Sequence, residues 1–201
     1  MEHCSDCQRG SHMRADARKN YDQLLAVAHA VVVEQGADAS LRDIARRAGV
    51  GLGTLYRHFP TREALLETLL RAGFDELTAQ AGELETSSSP EDALVSWLRD
   101  FVACAHNYRG VVASMVAAIE DTESALHASC VAMRAAGARL LARAQTAGKA
   151  RTDIDGTDLF ALAGALAWLG DQPALEPRAD RLFGVVTSAI LTGQAGSGAK
   201  G

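Results

Sequence analysis

Residues 40–59, SLRDIARRAGVGLGTLYRHF, hold the densest set of groups in the chain that could recognise another molecule. Thr54, Tyr56, Arg57 and His58 offer hydrogen-bond donors of several lengths within two helical turns. Gly51 and Gly53 strip side chains from the start of the same segment, where bare backbone N–H groups can approach a phosphate. Arg42, Arg46 and Arg47 add positive charge just upstream. Donors of graded length beside arginines suit the reading of base edges and the neutralisation of phosphates. A helical hairpin with a solvated basic face would explain the arginines alone. It would not explain an aromatic and a histidine on a two-turn helix headed by two glycines.

Such donors need a rigid frame. Ser40 followed by Asp43 reads as a capping box, and Leu41, Ile44, Ala45 and Ala48 form an apolar stripe that Gly49 ends. A second short helix fits Leu52 to His58, closed by Pro60, which cannot continue the hydrogen-bond ladder. Two short helices around a glycine turn make a helix-turn-helix. Ile44, Ala45, Val50, Leu55 and Phe59 can pack them against Val27, Val31 and Leu65, leaving the outer face of the second helix for a groove.

The run from Ala48 to Leu66, AGVGLGTLYRHFPTREALL, resembles the signature of the TetR (tetracycline-repressor-like) family of bacterial transcriptional regulators, and the likeness extends over roughly residues 15–66. The resemblance implies an N-terminal three-helix domain, a long connecting helix and a variable helical domain that dimerises and often binds a small inducer. It assigns Leu52, Gly53, Thr54, Tyr56, Arg57 and His58 to the recognition helix, with Tyr56 and His58 facing the DNA backbone and Thr54 reaching a phosphate or a base edge. It gives phosphate contacts to Ser40 and Arg42 on the supporting helix and to Arg62 at the start of the fourth. Two positions depart from the family pattern. Gly51 stands where a hydroxyl residue is common, which removes a side-chain phosphate contact, and Arg62 replaces a common lysine, which keeps charge but changes geometry.

Bulk composition points the other way. The chain has 201 residues and a formal net charge of −5, which taken as an average argues against nucleic acid. The charge is unevenly placed: residues 14–62 hold eight Lys/Arg against five acids, whereas residues 63–201 hold eleven against eighteen. Apolar residues at 48 % and charged residues at 22 % exclude a disordered or collagen-like chain. With no long apolar run and no apolar signal core, a soluble cytoplasmic protein without membrane contact is expected. The four cysteines, at 4, 7, 104 and 130, form no secreted disulfide framework, and no metal site or cofactor is expected.

Helical periodicity recurs almost throughout, so the fold is expected to be all-α. Gly-Ser-His-Met at 10–13 reads as an expression leader, which sets aside residues 1–13 as disordered, with helix one from about Asp16 to Glu34. Residues 14–60 form the expected DNA-binding domain, 61–193 a ligand-binding and dimerisation domain, and 194–201 a flexible tail. Thr61 caps a helix running to about Glu85, and Thr86 to Pro90 is the clearest loop. Further helices are predicted near 91–106, 108–120, 123–147, 156–170 and 177–193.

In this body, Trp97, Phe101, Cys104, Met115, Met133 and Trp168, with the polar His106, Tyr108 and Asp171, could line an effector pocket or form plain core. Small residues three or four apart on 156–170, together with Phe183, Val186 and Ile190, suit close helix approach. The resemblance implies a four-helix dimer interface, for which Phe160, Ala163, Gly164, Ala167, Phe183, Val186 and Ile190 are candidates; the alternative is that these faces bury within the monomer. The leading expectation is a homodimeric repressor on double-stranded DNA with a near-palindromic operator, released by a small apolar or amphipathic effector. The alternatives are a helical interaction protein and a small helical enzyme. No nucleophile elbow, phosphate loop, dinucleotide fingerprint or zinc-protease pair supports the enzyme.

Overall fold

The computed structural model describes residues 5–108 and 110–192, with side chains from Asn20 onward except at 113 and 114. Among these residues the fold is all-α, as the periodicity predicts, and the only strand-like pairing is an isolated antiparallel bridge between Ala150 and Leu191. No described helix is long and apolar enough to cross a membrane. The chain divides into two compact units, residues 1–69 and 70–201, rather than after Pro60 as predicted. The start of the expected leader and the tail at 194–201 lie outside the described residues.

In the first unit α1 spans Ser5–Gln35, well before the predicted start at Asp16, so residues 5–13 of the expected leader are helical. No proline interrupts this stretch, and each residue added to a formed helix gains a hydrogen bond without a new nucleus. Gly36, at φ 67°, ends α1 and opens a 3-10 turn over Gly36–Asp38. Then follow α2 (Leu41–Arg47) and α3 (Leu52–His58). The end of α2 depends on Gly49, whose φ of 67° suits a residue without Cβ. Val50 N–H donates to the Ala45 carbonyl and Gly49 N–H to that of Arg46, so the chain leaves α2 through a Schellman turn.

The predicted capping box at Ser40 is only half formed. Ser40 Oγ accepts from Asp43 N–H at 3.5 Å, but the Ser40 N–H donates to Gln35 Oε1 at 3.4 Å instead of to Asp43. The Asp43 carboxylate is drawn off by Arg46, Arg47 and Gln35. The core of this unit is Leu24, Ala28, Val31 and Val32 of α1, Ile44 and Ala45 of α2, and Leu55 and Phe59 at α3. Leu65, Leu66 and Leu69 complete it from the first turns of α4 (Arg62–Leu84), whose N–H at Ala64 is capped by Thr61 Oγ1.

The second unit takes the rest of α4, then α5 (Pro90–Asn107), α6 (Val111–Ser114), α7 (Val116–Glu120), α8 (Ala125–Thr146), α9 (Gly156–Gly170) and α10 (Ala179–Ile190). The single helix predicted over 108–120 is two short ones, because Gly110 is left-handed at φ 75° and Met115 leaves helical geometry at φ −106°, ψ 7°. The last predicted helix starts at Ala179, after a 3-10 turn over Glu176–Arg178 that places Pro177 early. Trp97 is the centre of packing. It is fully buried, its Nε1–H donates to the Leu77 carbonyl at 2.8 Å, and its ring meets Phe101 at 5.8 Å and Phe160 at 5.9 Å.

Candidate nucleic-acid interface

Helix α3 is divided by its own periodicity. Leu55 and Phe59 are 0 % and 2 % exposed, whereas Tyr56 is 45 % exposed and Gly51, Gly53, Arg57 and His58 are open to solvent. Leu52 and Thr54 are half-buried at the edge between the two faces. The buried pair anchors the helix, so the outer face is held at a fixed angle. The Tyr21 ring of α1 stacks on Phe59 at 5.7 Å and lies 5.4 Å from His58, so His58 is exposed but not loose. Tyr21 is a positioning residue that its place in the apolar repeat of α1 does not reveal.

The arginines behave differently from one another. Arg47 donates Nη1 to Glu34 Oε2 at 2.6 Å and places Nε 2.8 Å from Asp43 Oδ2, and Arg46 pairs with Asp43. The hydrogen bond from Arg47 holds the Glu34 carboxyl below its ordinary range, and that from Arg46 does the same for Asp43. Arg46 and Arg47, expected to supply free charge, are therefore both paired: Arg47 braces α2 to the end of α1 through Glu34, while Arg46 pairs within α2. Arg42 and Arg57 are exposed and make no ion pair with a described residue.

A cleft of about 400 Å³ opens beside this face, lined by Asp38, Ser40, Leu41, Arg42, Tyr56 and Arg62, among others. Arg62 has Nε and Nη2 enclosed without a hydrogen-bond partner. Asp38 Oδ1 lies 3.5 Å from Nη2, within ion-pair range but not hydrogen-bonded, and is fully solvated. An arginine with enclosed, unspent donors beside a hydroxyl, a phenol and a second arginine can take the oxygens of a phosphate. The sequence candidates Ser40, Arg42, Leu52, Tyr56 and Arg62 are thus brought to one cleft, with Arg57 and His58 farther along α3. Gly51 is the N-cap of α3, and a Cβ there would meet only Thr54 Oγ1 at 3.8 Å. A hydroxyl residue would fit, so its absence is a chemical choice and not a steric one.

The effector-pocket candidates do not gather. Trp97, Tyr108, Met115 and Met133 are core, and Trp168 is 62 % exposed. Phe101 belongs to the aromatic cluster with Trp97 and Phe160. Cys104 and Tyr108 pack against Gly73, where a Cβ would stand 3.2 Å from Sγ and 3.0 Å from the phenol ring. Burial pushes the Cys104 thiol up to about 11 and raises the Tyr108 phenol. A separate cavity of about 360 Å³ lies between α5, α9 and α10, and of the nine candidates it takes only His106 into its lining. His106 Nδ1 is 2.8 Å from Asp171 Oδ1, at ion-pair distance but off the line of a hydrogen bond.

The dimer candidates also split. Ala163, Ala167, Phe183 and Ile190 are buried within their own unit, Phe160 and Val186 are half-buried, and Gly164 is exposed. The large apolar residues that α9 and α10 leave to solvent are Leu162, Trp168 and Val185. The small residues of α9 divide in the same way, with Ala163 and Ala167 turned to the chain's own core and Gly164 to solvent.

A short helix anchored by its apolar side, preceded by a glycine turn and a capped supporting helix, defines a helix-turn-helix protein. Comparison with known proteins specifies which kind. Residues 24–69 match the model of the N-terminal domain of bacterial regulatory proteins of the tetR family, and residues 89–190 match that of the SbtR-like transcriptional regulator C-terminal domain. A TetR transcriptional regulator of Streptomyces coelicolor is similar in structure, with TM-score 0.68 and 36 % identity, covering 85 % of this chain and 97 % of that one. A TetR regulatory protein of Mycobacterium vanbaalenii gives TM-score 0.68 and 32 % identity over 90 % and 99 % of the two chains. The transcriptional repressor KstR2 of Mycolicibacterium smegmatis is 35 % identical over 94 residues, 45 % of this chain and 46 % of that protein, so the match spans about half the length of this curated relative. The chain belongs to the TetR family of transcriptional regulators.

Proposed function

We propose that the protein is a sequence-specific transcriptional repressor that binds a near-palindromic operator as a homodimer in the cytoplasm and leaves it when a small molecule occupies the helical body. The observation that carries this reading is the divided character of α3, with Leu55 and Phe59 locked inside and Tyr56, Arg57 and His58 presented outward beside the Arg42–Arg62 cleft. Ser40, Arg42, Tyr56, Arg57 and Arg62 take phosphates, Thr54 reaches a base edge, and Gly51, Leu52 and Gly53 let the helix start come close to the backbone. Family membership and the curated name of KstR2 as a repressor support the direction of control.

Pairing rests on α9 and α10, whose exposed Leu162, Trp168 and Val185 form an apolar face suited to a second copy. Two recognition helices related by a two-fold axis enter major grooves one helical turn apart, about 34–36 Å, or a multiple of it. Selection of bound fragments from a random DNA pool tests the whole reading, with a recovered palindrome as the expected result. Tyr56→Ala, at an exposed position, should then weaken operator binding about tenfold, the loss of roughly one good polar contact. Recovery of no consensus, or unchanged affinity in Tyr56→Ala, would count against it.

A further inference from the structure

The cavity between α5, α9 and α10 has a chemistry that the fold alone does not explain. Its floor is apolar, formed by residues such as Val102, Leu166 and Phe183, and Arg99 and His106 of α5 stand at its edge. The Arg99 guanidinium carbon sits over the Phe183 ring, 4.6 Å from its centre, a cation–π contact that restrains the exposed side chain at the cavity. Arg99 makes no hydrogen bond with a described residue, and its nearest acid, Asp180 Oδ1, is 4.0 Å away on a fully solvated side chain. A structural arginine would spend its donors on the protein. This one is held by stacking with its donors free.

We propose that this cavity is the effector site and takes an amphipathic monocarboxylate, with Arg99 donating two parallel N–H bonds to the carboxylate and the apolar floor receiving a hydrocarbon body. The proposal rests on the reading of the protein as a ligand-responsive regulator, but the binding can be measured apart from DNA. Planar bidentate pairing is the geometry for which a guanidinium is built. His106, 2.8 Å from Asp171, stands within the lining to offer a second contact. Glu176 and Asp180 also line the cavity, and their two negative charges offset the one arginine. That net negative lining opposes a phosphate ester or another polyanion more strongly than a ligand with a single negative charge, whose attraction comes from the paired N–H bonds of Arg99. A volume of about 360 Å³ sets the size, near the small end of ligand cavities at roughly 300–1,000 Å³. Because α9 and α10 also carry the exposed Leu162, Trp168 and Val185, occupancy that moves α10 against α9 alters the face proposed for pairing.

Calorimetric titration of the full chain with octanoate, octanol, octylamine and octyl phosphate tests the assignment. Octanoate should bind most tightly of the four. Arg99→Gln, at an exposed side chain, should weaken octanoate about tenfold and leave octanol unchanged, the pattern of a lost charge-assisted pair. Gly170 also lines the cavity, and a Cβ built there meets nothing within 4 Å, so Gly170→Leu should fill the space without strain and weaken octanoate and octanol together. Equal affinity for octanoate and octanol, tighter binding of octylamine or octyl phosphate, or binding unaffected by either substitution would overturn the proposal. Fluorescence anisotropy of labelled operator with octanoate is the separate arm. Binding without operator release would refute the regulatory role and leave the carboxylate site standing.

Discussion

The salt dependence of DNA binding follows from which arginines are already paired. Five arginines lie in or beside the helix-turn-helix, but Arg46 and Arg47 are tied to Asp43 and Glu34. Arg42 and Arg57 are unpaired, and Arg62 faces only the solvated Asp38 at 3.5 Å. Three cations per protomer, six in a dimer, give a slope of log K against log salt of about −5, at about 0.9 per phosphate. Counting all five arginines would give about −9. Between 50 and 200 mM salt the two cases differ as an affinity loss on the order of 10³ against one on the order of 10⁵. Fluorescence anisotropy of labelled operator across that range measures the slope directly. Arg57→Gln should flatten it by about 2 in the dimer, while Arg46→Gln should leave it unchanged. A wild-type slope near −9, or one that Arg46→Gln flattens as much as Arg57→Gln, would refute the claim that pairing withholds Arg46 and Arg47 from DNA.

Packing around Trp97 makes Gly137→Ala costly, because the added Cβ would stand 2.4 Å from Cη2 and 2.5 Å from Cζ3 of that fully buried ring. Overpacking of this kind costs about 1–3 kcal/mol, so the urea midpoint should fall, and an unchanged midpoint would mean that the ring can shift. Asp153 accepts from Arg151 Nε and Nη2 at 2.6 Å each, which holds its carboxyl at about 2, below the ordinary 3.8. A lowered carboxyl stabilises the fold above its unfolded value and loses that contribution as pH falls through its folded value. Asp153→Asn should therefore flatten the pH dependence of the urea midpoint between pH 3.8 and about 2, and an unaltered acid limb would contradict the pairing. Burial holds the Cys104 thiol at about 11, so at pH 8 only about one molecule in a thousand is thiolate. Mass-spectrometric mapping after brief iodoacetamide treatment at that pH should find Cys104 unmodified, and rapid alkylation would show the site to be open.

Local signals were legible in the sequence because their causes are local. Gly49 ends α2 in a left-handed conformation, Ser40 accepts from the N–H of Asp43, and Pro60 follows α3, all within a few residues of the side chain responsible. The box formed by Asp155 and Asp158 at the head of α9 is equally local and has the same aspartate at the third position as the Ser40–Asp43 pair. What stayed hidden depends on distant partners. Nothing near Arg47 indicates that Glu34, on another helix, takes its charge. Helix α9 carries apolar residues on every side, so its periodicity could not show that Ala163 and Ala167 turn inward while Leu162 and Trp168 turn out. The same holds for Arg99, the one arginine of α5, until α10 brings Phe183 beneath it.

The division of charge in the chain changes meaning once the pairs are known. The surplus over residues 14–62 comes from eight basic residues, yet of the arginines nearest α3, Arg47 serves to hold α2 against α1 and Arg46 is paired within α2. Without that brace, rotation of α2 would carry α3 with it, since Ile44 and Ala45 pack in the same core as Leu55. The pairs therefore exchange raw attraction for orientation. A reading head with few free cations releases few counterions and binds arbitrary DNA weakly, which leaves a larger share of the affinity to the contacts proposed for Thr54 and Tyr56. Selectivity then depends on the rigidity that Tyr21, Leu55 and Phe59 confer on α3, and a substitution that loosened this packing would reduce discrimination between operator and random DNA before it abolished binding.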